Sequence, residues 1–274
     1  MTRPPTGSVE TAKRYPFPRP GYSFLYLDGA ALPLRSLGES LEEAEVEVDG
    51  RCVPAGSLLR QRGIGAPAPM SLRTPVLAYG ANAAPERLRR KFAPVGQAVF
   101  PVLQARLHDF DVVHAAHISS YGAVPATIER SPGTVCHIAI TCLDDRQLAR
   151  MHETEFRRHT YLFGVLSNVR LEPDLLPGMD RVSSYVGGFG HIAPEGEPLA
   201  LAAIRAEGRR FRTCSQTEAL ETIQAMLGVP GSLDAFVQEA VDDDAVRRAR
   251  TESLRAQAQP FSYREFAPVA PEAR

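Results

Sequence analysis

Apolar residues in the middle of the chain recur with the spacing of β-strands. Alternating or short continuous apolar runs predict strands over residues 75–79, 99–107, 110–119, 124–129, 134–141, 161–171 and 181–187. The sequence Ser131-Pro132-Gly133 predicts a turn between two of these strands. Because helices interrupt the strands without a regular βαβ alternation, the pattern predicts an α+β fold.

Helical spacing and capping residues predict several helices. Pro85 fits the first turn of a helix that runs to about Phe92. Asp144, followed by Gln147 three residues later, predicts a capped helix from residue 145 to about Arg158. Further helices are predicted over residues 200–207, 217–227, 233–241 and 244–257.

These patterns divide the chain into four segments. Residues 1–20 contain five prolines and are expected to be a flexible N-terminal segment. Residues 21–73 form a β-rich extension, in which Asp49-Gly50 is suited to a hairpin turn. Residues 74–211 form the main domain, and residues 212–274 form a C-terminal helical extension.

Charge and hydropathy restrict the classes of partner. The chain has 31 Lys and Arg against 32 Asp and Glu, a formal net charge of −1, which gives no electrostatic reason to expect nucleic acid or an anionic membrane. No apolar run approaches the roughly 20 residues that span a bilayer. The N-terminus lacks the apolar region of a secretory signal, so a cytoplasmic location is predicted.

The spacing of the four cysteines indicates buried structural positions rather than a metal-binding or disulfide site. They form no CxxC pair. Cys136 and Cys142 share strand parity with Ile138 and Ile140, so both are expected to be buried and reduced.

The helix after Asp144 places a carboxylate on an otherwise apolar face. The positions i, i+3, i+4 and i+7 of this face are Leu148, Met151, His152 and Glu155. Burial of a carboxylate is costly. Partial burial would raise the pKa of Glu155 and make it a proton acceptor and donor near neutrality. The alternative is that Glu155 lies at the edge of the face and pairs with Arg150 or Arg158.

Histidines offer a metal-binding alternative. His152, Glu155 and His159 lie on one helical face, but they span two turns without HExxH spacing. His114 and His117 have opposite strand parity and are not expected to converge on one ion. We therefore predict no metal site.

A second candidate element is the loop Tyr79-Gly80-Ala81-Asn82. A glycine directly after a strand allows close approach of a ligand, and the N-terminus of the following helix could hold a carboxylate or an oxyanion. The alternative is a plain turn between strand and helix, capped by Asn82.

Four segments in order resemble gamma-glutamylcyclotransferase-like proteins. VLAYGANAAPERLRRKF is similar to their Y-G-S-N opening, and GAVPATIERSPGTVCHIAITCLDDRQLARMHETEF to their strand, turn, strand and helix ending in L-D-x-x-E. SSYV at 183–186 and GEPLALAAIRAEGRRF resemble their tyrosine-containing strand and later helix. The resemblance covers residues 74–211. It implies a mixed β-barrel with flanking helices and a ligand cavity.

The resemblance also implies an activity. Residues Tyr79, Gly80, Ala81 and Asn82 would anchor the substrate together with Tyr161, and Glu155 would be the general acid and base. In that reaction the α-amino group of a γ-glutamyl amine or peptide attacks its own γ-carbonyl, which forms 5-oxoproline and releases the amine. The expected partner is a small molecule with a γ-glutamyl or similar carboxylate group, and no cofactor is expected.

Three positions depart from the family pattern. Ala81 stands where serine is usual, His152 replaces the aspartate, and Phe156 replaces a glycine and is expected to add bulk beside the cavity. Two alternatives therefore stay open: a non-catalytic domain that binds a small metabolite or a protein, and an amidohydrolase or acyl transferase that uses the same cavity. The two extensions could cover the cavity, form a homodimer contact or bind a partner.

Overall fold

The computed structural model describes residues 8–156 and 160–269. The chain begins with helix α1 (Ser8–Lys13), strands β1 (Phe24–Leu27), β2 (Ala30–Ser36), β3 (Glu45–Val48) and β4 (Arg51–Pro54), helix α2 (Ala55–Gln61) and a 3₁₀ turn at Met70–Leu72. The predicted hairpin around Asp49-Gly50 is confirmed as the connection between β3 and β4.

The central part contains the long strands. It consists of β5 (Thr74–Ala78), a 3₁₀ turn at Ala81–Ala83, α3 (Pro85–Phe92), β6 (Val99–His114), β7 (Ala126–Leu143), α4 (Asp145–Glu155), β8 (Tyr161–Pro173) and β9 (Met179–Gly187). The C-terminal part has a 3₁₀ turn at Pro194–Gly196, β10 (Leu199–Leu201), β11 (Ala206–Glu207), β12 (Arg212–Cys214), α5 (Gln216–Met226), α6 (Leu233–Asp242), α7 (Asp244–Arg255) and β13 (Phe266–Pro268).

Within the described part of the chain, five strands close into a barrel. The order of hydrogen-bonded neighbours is β7, β5, β9, β8 and β6, and β6 pairs again with β7. The β5–β9 pair is parallel and the other four pairs are antiparallel. The α+β fold, with a barrel, flanking helices, an N-terminal β-rich extension and C-terminal helices, is as predicted.

Side chains along β7 point alternately to the two faces of the sheet and contribute to an apolar core on each side. Cys136, Ile138, Ile140 and Cys142 are buried in the larger core, as their shared parity predicted. Ala139 lies on the other face, in a second core that includes Leu88 and Phe92 of α3 and Met151 of α4. The apolar sides of α3 and α4 therefore pack on the same outer face of the barrel, which places both helices beside the end of β5.

Residues 8–20, part of the segment expected to be flexible, contain α1 and bury the side chains of Tyr15 and Phe17; residues 1–7 lie outside the described residues. Two expectations about local structure were wrong. Residues 131–133 form no chain-reversing turn, because β7 continues through them with a register shift opposite His108 and Phe110. Residues 200–207 are not helical but contain β10 and β11.

Strands from both extensions join the sheet of residues 74–211. β1 pairs with β6, β12 pairs with β10, and β13 pairs with β8. The four-segment division of the chain stays a prediction. Among the helices that the structure describes, none is both long enough and apolar enough to cross a membrane.

Substitution of Gly190 is expected to destabilise the fold. Gly190 has φ +78°, and a Cβ there would lie 1.9 Å from the carbonyl oxygen of Gln259, where the C-terminal chain forms a β-bridge with His191. We expect Gly190→Ala to lower the free energy of unfolding by about 1–3 kcal/mol more than Gly196→Ala, as measured by urea denaturation. Gly196 is the control because it has φ +86° but open space around its Cβ position. Equal losses in the two variants would contradict the close contact.

Candidate active site

A cavity of about 410 Å³ opens beside the end of β5, between α3 and α4. This volume is in the usual range for small-molecule sites. All of the site residues predicted from the sequence line it, namely Tyr79, Gly80, Ala81, Asn82, Glu155 and Tyr161. The structure therefore brings together two segments that are more than seventy positions apart in the sequence.

Glu155 is enclosed in this cavity. Its side chain is 13% exposed and forms an ion pair with Lys91 of α3. The side-chain amide of Asn82 donates to Glu155 Oε1 at 3.3 Å, and Lys91 Nζ donates to Asn82 Oδ1 at 2.5 Å. A carboxylate, an amide and an ammonium group thus form one hydrogen-bonded cluster at the cavity wall.

The alternative pairing of Glu155 with Arg150 is not observed. Arg150 instead contacts Glu153 Oε2 at 2.6 Å, and its Nε donates to the carbonyl oxygen of Lys91 at 2.6 Å. Arg158, the other alternative partner, lies outside the described residues. The carboxylate of Glu155 points toward α3 and the cavity.

Local sequence explains how α4 carries Glu155 to this position. The backbone N–H of Gln147 donates to Asp144 Oδ1 at 2.9 Å, and the backbone N–H of Asp144 donates to Gln147 Oε1 at 3.1 Å, which is the predicted capping box. Met151, one turn before Glu155, is 1% exposed and anchors the helix on the barrel. Because α4 ends at Glu155, the carboxylate projects from the last turn.

The loop after β5 is shaped by contact with the N-terminal segment. A Cβ at residue 80 would lie 2.4 Å from the hydroxyl oxygen of Tyr15, so glycine is required for this close approach. The Tyr15 hydroxyl in turn accepts a hydrogen bond from the backbone N–H of Ala126 at 2.8 Å. Asn82 does not cap α3, whose N-cap is Ala84. Its side chain is committed to Glu155 and Lys91 instead.

Two tyrosines of the cavity lining donate their hydroxyl groups to backbone carbonyl oxygens. Tyr161 donates to the carbonyl oxygen of Ala126 at 2.9 Å, and Tyr79 donates to the carbonyl oxygen of Tyr185. Burial raises the pKa of both phenols, and the nearby Glu155 charge contributes to each shift. These hydroxyls therefore stay protonated at neutral pH and serve as hydrogen-bond donors.

The expectation that Phe156 adds bulk beside the cavity was wrong. Neither Phe156 nor His152 is among the lining residues. Phe156 stacks on the His152 ring with centroids 4.7 Å apart and planes at 9°, and His152 Nδ1 lies 2.7 Å from the hydroxyl of Tyr185. Two of the three departures from the family pattern thus lie outside the cavity lining, because they pack against β9.

The sequence matches no protein-family model and no curated protein. The structure is similar to one titled gamma-glutamyl cyclotransferase, with 14% identity, a TM-score of 0.34, and coverage of 70% of this chain and 91% of that chain. It is also similar to an uncharacterized protein from Homo sapiens, with 15% identity and the same TM-score and coverage. These values describe similarity of fold at most.

Several lining residues were not found from the sequence. Lys91 and Arg87 lie on α3 four residues apart, and His117 and Tyr121 lie in the loop after β6. Tyr15 and Arg247 come from outside residues 74–211. The i, i+4 spacing of Arg87 and Lys91 was visible in the sequence, but nothing there distinguishes a cavity wall from a solvated helix face.

Among residues 8–156 and 160–269, no three His, Cys, Asp or Glu side chains are grouped closely enough to hold a metal ion. His159, a member of the alternative with His152 and Glu155, lies outside these ranges. The imidazole Nε2 of His114 lies 3.0 Å from the carbonyl oxygen of Cys214, which is a structural contact.

Acid is expected to destabilise the protein through two buried histidines. Burial lowers the pKa of both His114 and His117 to about 4, whereas an imidazole in the unfolded chain has a pKa near 6.5. As the pH falls from about 6.5 to about 4, the unfolded state binds these protons first, so the free energy of unfolding decreases by up to about 1.4 kcal/mol per pH unit per histidine.

Urea denaturation as a function of pH measures this effect. Replacing His114 and His117 with asparagine should flatten the decline. A decline that persists unchanged in the double variant would show that other groups cause it.

Proposed function

We propose that the cavity is the active site of a cyclotransferase that acts on a γ-glutamyl amine or γ-glutamyl peptide. The observation that carries the proposal is the enclosed Glu155 carboxylate beside the 79–82 loop, hydrogen-bonded by Asn82. Under this proposal the substrate is a small molecule and Tyr79, Gly80, Ala81, Asn82 and Tyr161 contact it.

The proposed reaction needs one group that carries protons and a substrate that is held in a ring-forming conformation. Glu155 removes a proton from the substrate ammonium group, and the freed amine attacks the γ-carbonyl carbon. As the tetrahedral intermediate collapses, Glu155 gives this proton to the leaving nitrogen and the bond from the carbon to that nitrogen breaks. Glu155 then takes the second proton from the ring nitrogen and passes it to the released amine, so that a neutral lactam and an ammonium ion result. Because nucleophile and electrophile belong to one molecule, holding it in a ring-forming shape supplies much of the acceleration. Proton transfer by a positioned carboxylate adds about 10²–10⁴-fold.

The neighbours of Glu155 fit this role. Asn82 and Lys91 hold the carboxylate in one orientation, and a substrate ammonium would share it with Lys91. Ala81 lacks the family's serine hydroxyl but keeps its backbone N–H. The loop can therefore still offer main-chain donors to the substrate carboxylate or to the developing oxyanion.

A panel of γ-glutamyl amines and γ-glutamyl peptides tests the proposal. The protein should produce 5-oxoproline together with an equal amount of the free amine from at least one member. Each compound is also incubated without protein, because some γ-glutamyl amides cyclise spontaneously. Rates that never exceed these blanks would reject the proposed activity.

A second candidate is a non-catalytic domain that binds a small carboxylate-bearing metabolite. It is favoured by the Lys91–Glu155 ion pair, which already occupies the carboxylate that the reaction requires. This alternative predicts saturable binding of γ-glutamyl compounds, measured by calorimetry, without release of 5-oxoproline.

We also propose a cytoplasmic site of action. All four cysteines are free, and Cys136, Cys142 and Cys214 are buried, which suits a reducing compartment. A homodimer stays a prediction.

A further inference from the structure

Tyr15 brings a phenol hydroxyl into the cavity wall from outside residues 74–211. It lies between α1 and β1, lines the cavity and is 5% exposed. Its hydroxyl oxygen accepts a hydrogen bond from the backbone N–H of Ala126 at 2.8 Å. Among residues 8–156 and 160–269, no group accepts the hydrogen of this hydroxyl. Because a hydroxyl is both an acceptor and a donor, Tyr15 still has one donor to offer.

Tyr79 and Tyr161, whose side chains also line the cavity, have already used their hydroxyl hydrogens. Tyr161 donates to the carbonyl oxygen of Ala126 at 2.9 Å, and Tyr79 donates to that of Tyr185. The backbone of Ala126 is thus bound by two tyrosines, with its carbonyl oxygen held by Tyr161 and its N–H by Tyr15. Within the described part of the chain, Tyr15 is the one of these three phenols that keeps a hydrogen for a ligand.

Packing fixes the position of this hydroxyl. The ring of Tyr15 contacts that of Phe17 with centroids 6.1 Å apart, and both side chains belong to the larger core. A Cβ at Gly80 would lie 2.4 Å from the hydroxyl oxygen, so the hydroxyl lies directly against the loop from Tyr79 to Asn82. A donor that is held in place in this way needs no reorganisation when charge develops on its acceptor.

The Tyr15 phenol stays protonated at neutral pH. Burial raises the pKa of Tyr15 well above its usual value, and the Glu155 charge adds to this shift. The N–H of Ala126 acts in the opposite direction on the pKa, because it stabilises the phenolate. The same hydrogen bond polarises the O–H group and strengthens it as a donor. Tyr15 is therefore a neutral and comparatively strong hydrogen-bond donor.

The loop places this donor near the carboxylate that carries protons in the proposed reaction. Asn82, two residues after Gly80, donates to Glu155 Oε1 at 3.3 Å. The hydroxyl of Tyr15 and the carboxylate of Glu155 therefore adjoin the same short loop. The γ-carbonyl carbon is attacked by the amine that Glu155 deprotonates, so this carbonyl group must also lie beside Glu155. Its oxygen is expected beside the loop.

A neutral donor suits an oxygen that becomes charged only during the reaction. A permanent carboxylate is bound most strongly by a cation, and the cavity wall contains several arginines. A phenol gains most from an oxygen whose charge develops as the amine attacks, because the hydrogen bond strengthens as that charge grows. The γ-carbonyl oxygen is the atom of the substrate that changes in this way.

We propose that the Tyr15 hydroxyl donates a hydrogen bond to the γ-carbonyl oxygen and stabilises the oxyanion of the tetrahedral intermediate. This inference rests on the proposed function and makes Tyr15 a catalytic residue that the N-terminal segment supplies. When the amine attacks, the π electron pair of the carbonyl group moves to its oxygen. When the bond to the leaving nitrogen breaks, that pair forms the carbonyl group again, so Tyr15 keeps its proton throughout.

Tyr15→Phe removes this hydroxyl and keeps the ring. We expect kcat for 5-oxoproline formation to fall by about 10²–10³-fold, with KM changed by less than about threefold. Tyr263→Phe is the matched control, because the Tyr263 hydroxyl also contacts a backbone group, the carbonyl oxygen of Ser167 at 2.8 Å, but does not line the cavity. Its kcat should stay within about twofold of the wild type. A rise in KM with kcat unchanged, or equal losses of kcat in the two variants, would overturn the inference.

Ligand binding separates this inference from the proposed function. The glutamate analogue with a phosphonate in place of the γ-carboxylate group has tetrahedral, anionic oxygens where the oxyanion would form, whereas glutamine has a planar, neutral carbonyl group there. Calorimetry measures the affinity of each ligand for the wild type and for Tyr15→Phe, and no turnover is required. In the variant, the affinity should fall by about 10- to 100-fold for the phosphonate and by less than about threefold for glutamine.

The two ligands also distinguish a lost donor from a disturbed cavity wall. A selective loss of phosphonate affinity supports the inference even if the wild type forms no 5-oxoproline. Equal losses for both ligands would overturn it, because the loss would then come from the N–H of Ala126 being left without its acceptor. Unchanged phosphonate affinity would overturn it even if turnover is observed. Failure of the wild type to bind either ligand would also overturn it, whereas the panel of γ-glutamyl compounds would still decide the proposed function.

Discussion

Glu155→Gln is expected to lower kcat for 5-oxoproline formation by about 10²–10⁴-fold with little change in the fold. Glutamine has the shape of glutamate and keeps an oxygen that can accept from Asn82 and Lys91. It cannot take a proton from the substrate ammonium at neutral pH, so attack on the γ-carbonyl loses its base. The measurement is the initial rate of 5-oxoproline release from the best substrate of the panel.

Glu153→Gln is the matched control for this experiment. Glu153 precedes Glu155 by two positions on α4, its side chain is 50% exposed and contacts Arg150, and it does not line the cavity. Its activity should stay within about twofold of the wild type if general acid–base catalysis belongs to Glu155 alone. Equal activity of Glu155→Gln and the wild type would reject the catalytic role, and thermal denaturation of both variants separates lost chemistry from lost folding.

Arg209→Met is expected to lower the free energy of unfolding by about 3–5 kcal/mol. Asp111 of β6 is fully buried, and Arg209 donates to its two oxygens at 2.9 and 3.0 Å. Arg209 also donates to the carbonyl oxygen of Ile204 at 2.7 Å. Removal of Arg209 leaves a carboxylate inside the protein without its counter-charge, and an unpaired buried charge is more costly than a missing ion pair on the surface.

The pH dependence of this loss has a defined sign. Burial raises the pKa of Asp111 above 3.8, and Arg209 offsets only part of that shift. Because the folded-state pKa exceeds the unfolded one, the folded state binds this proton more tightly. The protonated acid needs no counter-charge, so the difference between Arg209→Met and the wild type should shrink as the pH falls toward the raised pKa. Urea denaturation of both proteins at neutral and mildly acidic pH measures this difference.

Two comparisons test the physical cause. Arg205→Met is the matched control, because the Arg205 side chain is 75% exposed and lies 3.6 Å from Glu207; an exposed pair of this kind contributes about 0–1 kcal/mol. The double variant Asp111→Leu with Arg209→Met should lose less stability than Arg209→Met alone, because it removes both charges. A double variant that is the least stable of the set would show that the pair contributes mainly by packing.

Sequence reasoning succeeded where the signal is local. The α4 helix begins with a capping box and buries Met151 on the face that its periodicity marks. These short-range features predicted which face of α4 packs on the barrel, but they left open whether Glu155 lies at the edge of that face. Strand alternation likewise predicted that Cys136 and Cys142 lie in the core. Capping interactions and side-chain periodicity depend on residues a few positions apart, so the sequence alone contains them.

It failed where distant contacts override local preference. Residues 199–201 are rich in alanine and leucine, which favour helices, yet β10 pairs with β6 and β12 and all three side chains are buried. Likewise, nothing in the proline-rich sequence near the N-terminus indicated that Tyr15 and Phe17 pack into the larger core. Burial against a surface that other segments build cannot be deduced from the segment itself.

The candidate site shows the same division. The sequence by itself determined where the barrel strands lie, apart from the continuity of β7 through residues 131–133, and it singled out the loop from Tyr79 to Asn82 and Glu155 as candidates. Only the tertiary structure decided that Lys91, 64 positions away, is the partner of Glu155 and that Arg87 lies in the wall of the same cavity. These arrangements result from the packing of α3 beside α4 on one face of the barrel, and neither helix specifies the position of the other.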